Sequence, residues 1–460
     1  MASSPGTNQI ISELEITDNG KNMNSFATVF LLINAAMLLF LPRRWAPLPL
    51  LVGSCYMTLG WGTEIGPFHF PIIRILVAVG VVRVIIRGER LVGEMNSLEQ
   101  LMVVWTAWAL ISSLFHRDIS GVLVNRLGLV YNACGIYFLL RVFCRSLDDV
   151  VRLCRITAIL LVPLSIEMLS EKMTGHNLFS ALGGVSEFSE IREGRIRAQG
   201  PFAHSILAGT VGAVCLPLMI GLWQQHRKTA VAGIVASFSI IFASASSGPI
   251  MSALFGIGAL FMWHWRHQMR LVRWLAVLGY IGLDLIMKAP AYYLIARIDL
   301  TGSSTSWHRA ALIDAALTHL SEWWFAGTDF TRHWMPTGVS WSEEHTDITN
   351  HYLRMGVDGG LPLMLLFIAV LAIGFSFVGR TLQQMPELSP QSRFMIWALG
   401  ASLFAHATTF TSVSYFDQSF VFIYLTLAAI GSVWSEMVRE NGHRISRPHI
   451  SNQLALTQSS

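Results

Sequence analysis

Two clusters of chemically capable side chains lie in one long polar segment, Pro290–Gly360. The first cluster is Ser303–Arg309, which reads SSTSWHR, and the second is Glu343–Tyr352, which reads EEHTDITNHY. Hydroxyl, imidazole and guanidinium groups at a helix start can bind an anion, and an imidazole beside a carboxylate can move a proton. A connection of about 70 residues is far longer than an ordinary loop, so we expect this segment to be functional.

The first cluster predicts the start of an amphipathic helix with a cation in its first turn. The hydroxyl residues Ser303–Ser306 are typical N-caps. Arg309 opposes the helix dipole, and together with His308 it indicates a phosphate-binding site. The alternatives are an ion pair with Asp314 or contact with lipid headgroups. The apolar stripe of this helix, which indicates packing or a helix lying on the membrane surface, consists of Ile313, Leu317, Leu320 and Trp324.

Aromatic side chains accompany the predicted helix, and the long segment contains five tryptophans. Trp307, next to the candidate cation site, is a further candidate site residue. The run Trp323–Phe325 indicates either an aromatic belt at the membrane surface or a surface on which a sugar ring stacks.

The second cluster contains a candidate general base. Asp347, Asn350 and His351 are spaced i, i+3 and i+4, which places them on one helix face if the helix begins early. His351 titrates near neutral pH and can accept a proton from a hydroxyl group. Asp347 can instead cap the helix that follows. Arg354, on the next turn, adds a cation to the same region and is a further candidate for binding phosphate.

We expect no metal site in the second cluster and no cofactor for the chain. Metal ions need ligands that converge with defined geometry, whereas adjacent acidic side chains in a loop are usually solvated. This applies to Glu343, Glu344 and Asp347. His345, in the same cluster, remains a second candidate for the base.

A second group of cations lies between residues 192 and 204, where the chain reads REGRIRAQGPFAH. Arg195 and Arg197 are suited to bidentate contact with phosphate and stay charged. His204, at the start of an apolar run, is either functional or a hydrogen-bonded helix end. The alternative for the arginines is that they are solvated or pair with nearby acids, which are Glu187, Glu190 and Glu193.

The composition indicates a membrane protein. The chain has 460 residues, of which 53% are hydrophobic and only 13% are charged, whereas soluble domains contain roughly 25% charged residues. Unbroken apolar runs favour helices, because each span must satisfy its own backbone. The net charge of +4 does not indicate nucleic acid, and we expect no such partner. The five cysteines show no metal-type spacing, and the N-terminal residues do not resemble a cleavable signal peptide.

These runs predict an all-α, polytopic integral membrane protein with about 12–13 transmembrane helices and two long extracytoplasmic loops. The first two runs are short and can form a re-entrant hairpin. The thirteen candidate spans are Ser25–Leu41, Trp45–Trp61, Pro71–Ile86, Leu98–Phe115, Gly121–Phe143, Leu153–Leu169, Phe202–Trp223, Thr229–Ala245, Ile250–Trp265, Val272–Lys288, Leu361–Val378, Phe394–Val413 and Gln418–Met437.

Arginine and lysine in alternate short loops set the expected orientation. The loops on the other side, which we expect to lie outside, are Gly62–Phe70, His116–Ser120, Glu171–Pro201, Ser246–Pro249, Pro290–Gly360 and Ser414–Asp417. The predicted organisation is a polar N-terminal tail (1–24), an N-terminal transmembrane bundle (25–170), the first long outer loop (171–201), central helices (202–289), the large outer loop that carries the chemistry (290–360), C-terminal helices (361–438) and a cytoplasmic tail (439–460).

From Arg195 to Val378 the chain resembles the O-antigen ligase and polymerase superfamily of bacterial envelope glycan assembly. The stretch Arg197–His204 is similar to the family's Arg-x-x-Gly-x-Phe element, and Ser246–Pro249 to its Ser-Arg-Gly turn. Trp307–Gly327 resembles its Trp-led helix. Asn350–Leu353, with Val357–Leu361 downstream, resembles its His-Asn-x-Tyr-Leu stretch and the Gly-Leu that follows.

The resemblance implies a multi-pass protein of the bacterial inner membrane with periplasmic long loops. It implies a metal-independent glycosyltransferase that takes an undecaprenyl-diphosphate-linked oligosaccharide as donor and polymerises repeat units of an exopolysaccharide or O-antigen. Arginines would hold the diphosphate, and a loop histidine would take part in the reaction. Expected partners are the lipid-linked glycan, the lipid bilayer and other polysaccharide assembly proteins.

Two alternatives stay open. One is a ligase that transfers the glycan to lipid A core or to protein, and the other is a transporter of lipid-linked glycan without covalent chemistry. The sequence also departs from the family pattern. Thr349 stands where the family has its histidine, the Ser-Arg-Gly turn lacks its arginine, and Ser303 replaces an arginine for which Arg309 can substitute.

Overall fold

The computed structural model describes residues 24–58, 60, 62–65, 68–294, 305–339 and 342–445, and it is about 75% helical. The α-helices are α1 (Ser25–Phe40), α2 (Pro47–Tyr56), α3 (Ile72–Arg87), α4 (Ser97–Ser112), α5 (Ile119–Phe143), α6 (Leu147–Thr174), α7 (Ser205–Gly221), α8 (Arg227–Ser244), α9 (Ser247–Phe261), α10 (Met269–Ile286), α11 (Thr305–Thr318), α12 (Leu320–Trp323), α13 (His351–Gln384), α14 (Pro390–Thr409) and α15 (Phe420–Ile445). Two antiparallel hairpins are formed by β1 (Gly62–Ile65) with β2 (Phe68–Pro71) and by β3 (Glu190–Arg192) with β4 (Arg195–Arg197).

Each predicted span overlaps one helix, and the all-α polytopic membrane class is confirmed. Among the described residues, six helical segments are long and apolar enough to cross a membrane, namely Ser97–Phe115, Ile119–Phe143, Leu147–Thr174, Arg227–Ser244, His351–Gln384 and Phe420–Asn441. The 10 residues of α2 rise only about 15 Å, half the thickness of the hydrocarbon core. Helix α2 is therefore too short to cross alone, as a re-entrant hairpin requires.

The interior of the bundle has two packed groups of helices. Helix α8 packs against α6 and α7, and α14 joins α7 and α9. Helix α13 packs against α4, α14 and α15, while α5 packs against α15. By contrast, α10 has no buried residue, and its apolar side chains are exposed from Leu271 to Ile286. The apolar surface of α10 therefore faces outward from the bundle.

A buried ion pair fixes α4, α5 and α15 relative to one another. Arg141 Nε donates to Glu99 Oε1 at 2.8 Å, and both side chains are fully buried. The other nitrogens of Arg141 donate to Ser432 and Ser435. A charge inside a bundle is tolerated only when it is paired and hydrogen-bonded. Arg141 therefore ties three helices together inside the bundle.

The six loops expected to share one side do lie at one end of the bundle, because they contact one another. Consecutive and distant loops are joined by hydrogen bonds between Thr58 and Gly183, His116 and Asp329, Arg197 and Ser246, Ala203 and Asp417, and His351 and Ser414.

The predicted helix of the long loop is α11, and its buried face differs from the predicted stripe. Leu312, Ala316 and Trp323 are almost fully buried. Leu317 and Trp324 instead remain 55% and 54% exposed, so assigning packing to them is wrong. The buried residues each precede a residue of the predicted stripe by one position in the sequence. The predicted stripe itself forms a partly apolar outer surface. The predicted N-cap residues Ser303 and Ser304 lie outside the described residues.

Helix α13 is broken at Gly359 and Gly360, one turn before its long apolar part. Gly360 has φ 76° and ψ −178°, a conformation that side-chain-bearing residues avoid. The break frees backbone groups that the long loop and α4 satisfy: Leu361 N–H donates to the Trp324 carbonyl at 2.7 Å, and Trp108 Nε1 donates to the Gly359 carbonyl at 2.7 Å. The long loop is thus attached to the bundle at this break.

We expect Gly360→Ala to destabilise the protein by about 3 kcal/mol, because a residue with a β-carbon is strained in the backbone conformation of Gly360. That β-carbon would also collide with the Phe325 carbonyl. Thermal unfolding in detergent measures the change. The matched control is Gly379→Ala in the same helix, where a β-carbon meets nothing within 4 Å and alanine favours the helix. Equal melting temperatures for the two variants would show that the break is not constrained.

Candidate functional site

A small hairpin presents the arginines of the first long loop. Glu193 and Gly194 form its turn with φ of 52° and 73°, the two left-handed residues of a type I′ turn. The register pairs Glu190 with Arg197 and Arg192 with Arg195. Residues two apart in a strand share a face, so Arg195 and Arg197 lie on the same side of the hairpin.

The C-terminal end of α6 holds the base of this hairpin. The buried carboxylate of Glu171 accepts the backbone N–H groups of Gln199 and Gly200, at 2.8–3.1 Å, and the Ser189 hydroxyl at 2.8 Å. Lys172 Nζ donates to the Ile196 carbonyl at 3.2 Å. Glu171 therefore closes both ends of the loop around the β-strands and fixes where their arginines lie.

An open pocket between the two long loops brings together four arginines. One wall is the turn Ala245–Gly248, which begins α9, and Ala245 there is held at φ 45°. The arginines that line the pocket are Arg192, Arg195, Arg197 and Arg309.

Arg197 is the fixed member of this group. Its guanidinium is only 4% exposed. Nη1 donates to Glu190 at 2.9 Å, and Nη2 donates to the Ser246 hydroxyl at 2.8 Å. Burial lowers the pKa of Arg197, Glu190 opposes that shift, and Arg192 reinforces it. Ser246 in turn donates to the Ser244 carbonyl at 2.8 Å, so the whole turn before α9 is tied to the guanidinium.

One donor of Arg197 is left over. Its buried Nε–H has no hydrogen-bond acceptor in the part of the chain that the structure describes. A buried donor without an acceptor costs about 1–3 kcal/mol. The guanidinium groups that line the pocket would neutralise the charge of a bound anion.

Arg309 connects the second long loop to this pocket. It lies in the first turns of α11 and is 9% exposed. The preceding residue, His308, donates from Nε2 to the Asp347 carbonyl at 3.1 Å. Residues 308 and 309 therefore join the arginine pocket to the second predicted cluster. Trp307, by contrast, is 58% exposed.

His351 is packed inside the protein. It is 8% exposed, and its ring stacks on Phe410 with centroids 4.7 Å apart. The Tyr415 N–H points at its Nδ1 from 3.3 Å, and the Ser414 hydroxyl lies 3.2 Å from the same atom. The imidazole is thus positioned but covered by the turn at 414–415.

The other residues of the second cluster have defined backbone roles. Helix α13 begins at His351, so Asp347 and Asn350 precede it and the helical spacing does not apply to them. Asn350 Oδ1 accepts the N–H groups of Tyr352 and Leu353 at 2.9 and 3.1 Å and caps the helix. The cap is Asn350, and the alternative assignment to Asp347 is wrong. The side chain of Asp347 is exposed.

Arg354 points into an ion-pair cluster at the break of α13. Its Nε lies 3.2 Å from the Asp358 carboxylate, which also pairs with Arg126 at 3.0 Å. Asp358 and Arg126 are both 7% exposed. Arg126 escaped the sequence analysis, although a charge within the apolar run of α5 is a recognisable signal of a buried partner.

His204 and His345 both have perturbed titration. His204 Nδ1 accepts the Ile206 N–H at 3.1 Å and caps α7. Loss of contact with water, then Arg197, lowers the pKa of His204. His345 Nδ1 lies 2.8 Å from the Ser342 hydroxyl, and burial, then Arg354, lowers its pKa. Both imidazoles are therefore neutral near pH 7 and available as hydrogen-bond acceptors or bases.

The pocket therefore contains three of the five cations predicted to bind diphosphate, namely Arg195, Arg197 and Arg309, and adds Arg192. His308 lies next to the pocket, and Arg354 belongs to the ion-pair cluster. Gly248, which lines the pocket, lies close to the segment that covers His351. A β-carbon at Gly248 would lie 3.6 Å from Val413, which is two residues before Tyr415.

Comparison with known proteins gave no assignment: no protein-family model matches the chain, and no curated protein matches it significantly.

We expect the pocket to bind inorganic pyrophosphate. Arg197→Ala and Arg309→Ala should each weaken binding by about 10- to 100-fold, the loss of one or two charge-assisted hydrogen bonds. Calorimetric titration of the purified protein in detergent measures the affinity. Arg354→Ala should have a smaller effect, because its guanidinium pairs with Asp358. Arg380→Ala, at the other end of helix α13 from Arg354, should leave the affinity unchanged. Equal losses in all four variants would indicate a non-specific charge effect.

Proposed function

We propose that the chain is a glycosyltransferase of the bacterial inner membrane. Its donor would be an undecaprenyl-diphosphate-linked oligosaccharide, and it would polymerise repeat units of an exopolysaccharide or O-antigen at the periplasmic face. The observation that carries this proposal is the pocket of four arginines between the two long loops. A diphosphate carries several negative charges, which several guanidinium groups at one place suit.

The pocket would stabilise the leaving group. In the transfer, the bond between the anomeric carbon and the diphosphate oxygen breaks, and the electron pair leaves with the polyprenyl diphosphate. The acceptor hydroxyl oxygen forms the new bond to the anomeric carbon, and its proton passes to a base. Charge develops on the diphosphate, so Arg197 and its neighbours would act where stabilisation matters most.

The base is proposed to be His351, with Asp347 and Asn350 supporting its segment. Because the turn at Ser414 and Tyr415 covers the imidazole, that turn would have to move before a hydroxyl could reach it. His345 and His308 are the second candidates, and one observation favours each. Burial keeps His345 neutral, and His308 adjoins the arginine pocket through Arg309.

A different class of function has one observation in its favour. The buried pair of Arg126 and Asp358 lies inside candidate spans, and buried charges in spans are typical of transport routes. Transport of lipid-linked glycan without covalent chemistry is therefore the second candidate. Ligation of the glycan to lipid A core or to protein would use the same diphosphate pocket and differs only in the acceptor.

Turnover by the purified protein tests the proposal. With a polyprenyl-diphosphate oligosaccharide as the only substrate, we expect longer glycans and free polyprenyl diphosphate. Arg197→Ala and Arg309→Ala should lower the rate by at least about 100-fold, because one lost transition-state hydrogen bond to a charged group costs about 2.7–4 kcal/mol. Arg380→Ala should keep the wild-type rate. Unchanged product formation by both pocket variants would refute the assignment of the site.

The same assay separates the alternatives. Product that forms only when lipid A core or protein is added identifies a ligase. Movement of the lipid across vesicles without any new glycosidic bond identifies a transporter.

A third comparison identifies the base. The variants His351→Ala, His308→Ala and His345→Ala should differ, with the largest loss of the maximal rate expected for His351→Ala. Circular dichroism must show an intact fold for that variant, since the ring is buried. Full turnover by folded His351→Ala would exclude it as the base.

A further inference from the structure

Three side chains of the long loop converge at a place that the proposed reaction does not use. His319 follows α11, Glu322 lies in α12, and His333 belongs to the short turn Arg332–Trp334. Each offers one ligand atom, and these atoms all lie within 4.8 Å of one another. We propose that His319, Glu322 and His333 form a binding site for a divalent transition-metal ion, with Zn²⁺ the preferred ion.

The donor set and its geometry fit zinc. Two imidazoles and one carboxylate are a common ligand set of Zn²⁺ sites that keep an open position. His319 Nδ1 lies 2.7 Å from Glu322 Oε1, and His333 Nε2 lies 2.9 Å from Glu322 Oε2. Tetrahedral zinc would separate its nitrogen and oxygen ligands by about 3.3–3.4 Å. The two imidazole–carboxylate separations therefore need to widen by about 0.4–0.7 Å.

Neighbouring aromatic rings hold the ligands in place. Trp334 stacks on His319 with an interplanar angle of 9°, and Phe330 stacks on His333 at 10°. The planes of the two imidazole rings are inclined at 86° to each other. Each ring directs one nitrogen at the carboxylate, at 2.7 and 2.9 Å. Trp334 Nε1 also donates to Glu322 at 3.2 Å, which is the outer contact that orients a ligating carboxylate.

Charge and access also suit a cation. A glutamate carboxylate is ionised at neutral pH, as a metal ligand must be. The three side chains are each about one-third exposed, at 28%, 36% and 34%, so a metal can enter from solvent and keep a water ligand.

A bound ion would join two parts of the loop. Residues 319–322 follow the helix that carries Arg309, and Trp334 packs in the small core formed with Leu312 and Trp323. The metal would crosslink these parts and reduce the mobility of α11. It would thus stabilise the loop without entering the arginine pocket.

Metal binding by the full chain, purified in detergent with a tag that lacks histidine, tests the proposal. We expect one Zn²⁺ per chain by mass spectrometry and a saturable calorimetric isotherm. His319→Ala, His333→Ala and Glu322→Gln should each weaken binding by about 10-fold or more. The matched control is His176→Ala, which removes an exposed histidine paired with Glu187 at 2.9 Å but without a second histidine. Its affinity should equal that of the wild type.

Cobalt provides a readout that does not depend on the variants' folding. Co²⁺ bound by wild-type protein should show the intense visible absorption of a tetrahedral site, and Zn²⁺ should abolish it. Absence of stoichiometric binding by the wild type, or equal affinity in wild type and His319→Ala, would overturn the proposal. Because this assay needs no glycan substrate, its outcome is independent of the proposed transferase activity.

Discussion

This end of the protein depends on the hydrogen bonds that the buried guanidinium of Arg197 makes to Glu190 and Ser246. A charge removed from water must be paired, and here Glu190 and Ser246 pair it. Glu190 lies across the hairpin, and Ser246 precedes helix α9, so one side chain ties the first long loop to the bundle. Glu190 and Ser246 accept hydrogen bonds only from Nη1 and Nη2 of Arg197. The Nε–H remains buried without an acceptor in the described residues.

The second constraint is the break in helix α13. Hydrocarbon provides no partners for free backbone groups, so an irregular turn must lie where protein can satisfy it. The Gly359 carbonyl accepts from Trp108, and Leu361 donates to the long loop. His116 strengthens the same junction, with ring nitrogens 2.5 Å from Asp329 and 2.9 Å from the Ala326 carbonyl. The long loop is therefore held against the bundle at its middle as well as at its C-terminal end, which limits where Arg309 can lie.

The long loop combines three separate chemical features on one short framework. Arg309 faces the arginine pocket, His308 reaches the segment before α13, and the His319 cluster lies beyond the far end of α11. The helix between them buries Leu312 and Ala316 and keeps these features at fixed separations. Such an arrangement lets binding energy at one feature restrict the position of another. It also explains why so polar a segment contains a small apolar core of its own.

The sequence by itself determined the membrane class and the helices, because long apolar runs can satisfy their backbone in hydrocarbon only as helices. It also identified Arg195, Arg197 and Arg309 as cations out of place. Only the tertiary structure decided that these arginines meet, that His351 is covered, and that Arg126 pairs with Asp358 inside the bundle. The reason is physical: periodicity depends on neighbours within one element, whereas convergence depends on how distant elements pack. The cluster of His319, Glu322 and His333 shows this most clearly, since its three side chains are spread over fifteen residues. They meet only because the turn Arg332–Trp334 folds back on α11.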